Sequence, residues 1–124
     1  MKTLGIFLIG LTVAATLFAA NINGTWEGDM HNRNGDAVHV EMNLKAENGV
    51  LTGTLTTPAG ETEIKHGEVE GEYILFNIVE DANGHHTTQK YRGHVNAETI
   101  DFTITTLAPG GERTQDFTVK KIGG

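Results

Sequence analysis

His66-Gly67-Glu68-Val69-Glu70-Gly71 runs into Ile74, Phe76 and Ile78; twenty-six residues further on, Arg92-Gly93-His94-Val95-Asn96-Ala97 runs into Ile100, Phe102 and Ile104. Each stretch spells an extended segment, a tight reversal and a second extended segment. Apolar side chains recur at every second position, the spacing of a strand with one buried face. No stretch beyond residue 20 sustains the three-to-four spacing of an amphipathic helix. The two stretches therefore set an all-β fold, and the rest of the chain can be read in register with them.

Working outward, the same alternation covers residues 22–30, 37–46, 50–57, 61–69, 73–80, 86–95, 99–106 and 113–122, eight expected strands in all. The connections are short, so each strand is expected to pair with the next. Asn48-Gly49 suits a two-residue type I′ hairpin and pairs Leu44 with Gly53 and Met42 with Leu55. Reversals at Ala59-Gly60, Gly71-Glu72, Asn83-Gly84, Ala97-Glu98 and Gly110-Gly111 then pair Leu55 with Ile64, Val69 with Ile74, Phe76 with Tyr91, Val95 with Ile100, and Ile104 with Phe117. In this register nearly all apolar side chains share one face, and a one-residue slip would turn a strand inside out. Gly67 and Gly93 each face a Phe, as strand glycines covered by a ring do. Ile64 and Val69 differ in parity, which demands a β-bulge near His66-Gly67. The first reversal, His31 to Asp36, needs an odd loop with Gly35 left-handed. With no helix to cover its apolar face, this single antiparallel up-and-down meander is expected to close into a barrel of about eight strands, the last meeting the first.

Residues 1–20 read as a signal-peptide helix: Met1-Lys2, an apolar run from Leu4, and a small-residue exit at Ala19-Ala20. An uncleaved anchor is the rival reading of that run. Cleavage would leave residues 21–124 as one β-barrel domain, exported to the periplasm or beyond, with no stable membrane insertion. The chain of 124 residues carries a formal net charge of −7 and no cysteine. An acidic surface without a basic cluster argues against nucleic acid, and the missing thiols exclude disulfides and cysteine-based metal sites. Asn23-Gly24-Thr25 matches a glycosylation sequon, which carries no meaning in a bacterial periplasm.

Ile22-Asn23-Gly24-Thr25-Trp26, followed by Gly49-Val50-Leu51-Thr52-Gly53-Thr54, resembles the opening of avidin-type and other calycin (lipocalin-like) barrels. The resemblance implies that Trp26 packs across the closed end of the barrel under a basic residue of the last strand, Lys120 or Lys121. It departs from avidin in having a single Trp, so biotin binding is not implied, and from lipocalins in its length. As a whole the pattern is similar to small secreted bacterial barrels with no assigned role; the likeness implies the fold and supplies no substrate.

Hairpins alternate between the two ends of such a barrel. The inward positions near the termini are apolar: Ile22, Leu44, Leu51, Val69, Ile74, Val95 and Ile100. Those toward the other mouth are Thr57, Thr62, Glu80, Thr87, Gln89, Thr106 and Gln115, above a middle that includes Tyr91. Hydroxyls and amides over an apolar floor suit a small amphipathic or carbohydrate-like ligand. The same polarity also follows simply from strand ends meeting water. His31 lies on one loop of this mouth, and His85 and His86 sit on another beside Glu80 and Asp81 as weak metal candidates, but neighbours on a strand point to opposite faces. His39 and His94 are expected outside, and His66 at the bulge could turn inward. The chain beyond residue 20 contains no serine, and Glu80 is the one inward carboxylate near the mouth, so neither a serine nucleophile nor a paired-carboxylate mechanism is supported. The expectation is therefore a non-enzymatic barrel, without cofactor, that binds a small molecule; the alternative is a structural or protein-interaction module with no ligand pocket, acting through its acidic outer face.

Overall fold

A computed structural model describes residues 22–32, 34–82 and 84–124. The expected signal peptide and its cleavage site lie outside the described residues, as does Asn83 of the fifth reversal. Among the described residues the chain forms strands β1 (Gly24–His31), β2 (Ala37–Glu47), β3 (Val50–Thr57), β4 (Gly60–Glu63), β5 (Lys65–Glu70), β6 (Tyr73–Ala82), β7 (His85–Val95), β8 (Thr99–Ala108) and β9 (Gly111–Gly123). Every pairing is antiparallel, and the ring closes through β1 with β9 and β2 with β3. β4 and β5 together occupy one position of an eight-stranded barrel, because the expected strand 61–69 is broken at Ile64.

Local chemistry accounts for most of the reversals. Asn48 and Gly49 adopt φ of 53° and 80°, as a type I′ turn requires. Leu44 accordingly pairs with Gly53, and Met42 with Leu55. Gly35, at φ 83°, is left-handed in a loop held by the Asn32 side chain, whose Oδ1 accepts the N–H groups of Asn34 and Asp36. The bulge falls at His66-Gly67: pairing steps from Lys65–Asn77 to Glu68–Leu75, so both residues share Phe76 as their opposite. His66 takes φ 53° and its side chain is exposed, not inward.

Two registers differ from the sequence reading. The third reversal uses Pro58-Ala59 and the last Pro109-Gly110, each one residue earlier than expected. Leu55 therefore pairs with Thr62 instead of Ile64, and Ile104 with Gln115 instead of Phe117, which faces Phe102. Proline's locked φ favours the first central position of a turn, and in each case a glycine at positive φ follows. Moving a two-residue turn by one residue moves the pairing by two, which preserves the face each side chain occupies. The core is therefore the expected one.

That core runs from Ile22 and Trp26 at the closed end, through Met42, Leu55 and Val119, to an aromatic cluster. Phe76 stacks on Tyr91 at 4.7 Å and Phe102 on Phe117 at 5.4 Å, and Phe102 meets Phe76 and Tyr91 edge-on. A Cβ on Gly93 would lie 2.7 Å from the Phe102 ring, so this glycine is ring-covered as expected. A Cβ on Gly67 would instead lie 2.0 Å from the carbonyl oxygen of Leu51. Its position reflects close backbone approach between β3 and β5 rather than cover by Phe76.

Trp26 is fully buried, and its Nε1–H donates to the Ile22 carbonyl at 2.9 Å. Of the two basic candidates, Lys121 reaches over it, with Nζ 5.5 Å from the ring centroid. Lys120 pairs with Glu27 and points to solvent. Val119 faces inward, so alternation places position 121 on the same side. The adjacent register jump, from Trp26–Lys121 to Thr25–Gly123, ends the regular ladder there.

Candidate functional site at the flared mouth

Four hairpins form the mouth: β1–β2, β3–β4, β6–β7 and β8–β9 stay paired up to their turns. The ladders between hairpins do not all reach as far. β1 and β9 part after Gly28–Val119, leaving Asp29 to His31 without ladder partners on β9. The strands splay there, and a cleft of about 270 Å³ opens between them.

Of the expected lining, the structure gathers Thr87 and Gln89 of β7, Thr106 of β8 and Gln115 of β9 into this cleft. Gln115 spans the splay: its Oε1 accepts the backbone N–H of His31 at 3.2 Å. Thr57 and Thr62 do not take part. They are half-buried on the β3–β4 hairpin, on the other side of the ring. Glu80 has the expected parity but lies exposed at the rim of β6. Tyr91 is buried in the aromatic floor, with its hydroxyl 3.4 Å from Oε1 of Gln89. Burial pushes the Tyr91 hydroxyl well above the usual tyrosine range, and the Glu80 carboxylate adds to the effect. The phenol therefore remains a hydrogen-bond donor, with Oε1 of Gln89 as its acceptor.

Sequence reasoning missed Met30 and Val38, which pair across β1–β2 and supply an apolar wall, and Arg113, which joins His31, expected at this mouth, at the rim. The signal for Met30 and Val38 was present: both lie within the expected strands 22–30 and 37–46 and share inward parity with Gly28 and Val40. Nothing in the sequence marks Arg113 as a neighbour of His31, because that proximity depends on ring closure.

His85 and His86 do not converge. Both are exposed, and His86 Nδ1 lies 2.6 Å from Asp81 Oδ1. Among the described residues no three histidine, cysteine or carboxylate side chains gather as metal ligands. His39 lies outside beside Asp29 and Glu27, and His94 beside Glu72.

In comparisons with known proteins, no protein-family model matches the chain, and the search of curated proteins gives no match.

Proposed function

We propose that the barrel binds one small amphipathic or carbohydrate-like ligand at the flared mouth. The observation that carries this reading is the parting of β1 from β9 above Gly28. It exposes an apolar wall of Met30 and Val38 opposite hydroxyls and amides from three other strands. Such pairing of apolar area with a few placed polar groups is what small-molecule sites use. The cleft lies below the ~300–1,000 Å³ of sites for drug-sized ligands, which favours something of sugar size. Tyr91 supports the reading as a buried neutral donor whose hydroxyl meets Gln89 at the floor of the cleft. Trp26 beneath Lys121 supports a calycin-like relationship, and the first twenty residues support export as a signal peptide.

The test is a thermal-shift panel of mono- and disaccharides, short amphipathic acids and small aromatics. At least one compound should raise the melting temperature of the wild type, and Gln89→Leu with Thr106→Val should abolish that rise while leaving the fold intact. If no compound stabilises the protein and the double variant melts higher than wild type, the mouth is merely polar rim.

A further inference from the structure

The barrel parts at its mouth in a second place, away from the proposed ligand cleft. β4 pairs only with β3, and on β6 the stretch Ile78–Ala82 pairs only with β7, because the β5–β6 ladder stops at Lys65–Asn77. From Asn77 to the rim, no backbone ladder joins β4 to β6 among the described residues.

The direction of the unpaired groups follows from strand alternation. The Glu72 carbonyl accepts the Val95 N–H at 2.8 Å on the β7 side, and β6 is regular from Tyr73 to Ala82. Val79 and Asp81 therefore turn their N–H and C=O toward the seam. On β4, the Ile64 N–H donates to the Gly53 carbonyl at 3.1 Å on the β3 side, which turns the backbone of Glu61 and Glu63 toward the seam. Facing strand edges with open donors and acceptors are the template used in β-augmentation.

The surroundings select the occupant. Glu61, Glu63 and Asp81 are exposed on the outer face, and Glu80 is exposed at the rim. Against these stand Lys65, 2.9 Å from Glu63, and His86, 2.6 Å from Asp81. The seam is acidic, which disfavours edge-to-edge pairing with a second copy of the same chain. Inward of the seam, Ile64 and Ile78 are buried. We propose that the seam between β4 and β6 is a docking site for an extended basic peptide of a partner protein. The peptide adds as a strand, with alternate Lys or Arg side chains outward against Glu61, Glu63 and Asp81 and small apolar side chains inward.

The probe is a fluorescein-labelled Gly-Lys-Val-Lys-Val-Lys-Gly peptide titrated with the whole protein and followed by anisotropy. Two versions N-methylated on alternate amides and one with Glu for Lys serve as comparisons. The expected result is saturable binding of the parent, weakened at least tenfold by one or both N-methylated series, by Glu for Lys, and by Glu61→Lys with Glu63→Lys. In parallel, the Val79 and Asp81 amides should exchange rapidly in the free protein and at least tenfold more slowly with peptide. Three outcomes overturn the proposal: no saturable binding, N-methylated peptides binding as well as the parent, or seam amides already protected in dilute free protein. Protection that grows with protein concentration, together with a dimer in light scattering, also overturns it, in favour of a second copy. Gln89→Leu with Thr106→Val, which tests the cleft, should leave peptide binding unchanged.

Discussion

Gly93 and Gly53 show two different reasons for a glycine within a strand. At Gly93 an added Cβ meets the ends of side chains, Phe102 and Ile100, each 2.7 Å away. Gly93→Ala should therefore lower stability by about 1–3 kcal/mol, as overpacking does, because the ring can shift. At Gly53 the Cβ would lie 1.9 Å from the Asn43 carbonyl oxygen, and φ is 150°. Neither backbone can retreat without losing the β2–β3 ladder, so Gly53→Ala should cost more than Gly93→Ala in the same urea unfolding experiment. Tyr91 carries a pH prediction. Its folded hydroxyl titrates above its ordinary value of 10.0, so the folded state holds the proton more tightly than the unfolded state. The associated stability is fully present below about pH 10 and declines as pH rises past it. Tyr91→Phe should remove that part of the alkaline decline, seen as a smaller loss in urea midpoint between about pH 8 and about pH 11 than in wild type.

The turns govern behaviour at the level of the hairpin. Asn48 sits at φ 53°, where asparagine is tolerated and alanine is strained. Asn48→Ala should cost roughly 1–2 kcal/mol in chemical unfolding without changing the β2–β3 register, because the loop length is unchanged. Pro58 and Pro109 act differently. Each occupies the first central position of its turn, where proline restricts the unfolded chain as much as it shapes the fold. Pro109→Ala should lower stability by about 0.4–1 kcal/mol, and the Ala108–Gly111 pairing should persist in NMR cross-strand contacts. A change of register instead would mean that proline, and not loop length, holds the pairing in place.

Taken whole, the molecule is a closed ring whose tight end is sealed by Trp26 and whose other end opens between hairpins. The inward face was legible residue by residue: Phe76, Phe102 and Phe117 are all interior, and the bulge at His66-Gly67 follows from a parity conflict between Ile64 and Val69. Strand alternation is local, and a bulge or an Asn-Gly turn writes its conformation into two neighbouring residues. The phase of the proline turns escaped because a two-residue error conserves parity, leaving the hydrophobic pattern equally satisfied. Of the eight mouth residues the pattern singled out, four meet in one cleft, and Thr57, Thr62, Glu80 and Tyr91 do not. Parity says that a side chain faces inward, but not which other inward side chains it meets at an open rim. That depends on where adjacent hairpins lose their shared ladder, at Gly28–Val119 on one side and Lys65–Asn77 on the other. The amino-acid sequence alone determined the strands, their inner face and most of their reversals, since these depend on neighbours along the chain. Only the tertiary structure decided where the ring parts, because closing a twisted, staggered sheet distributes its misfit among strands far apart in sequence.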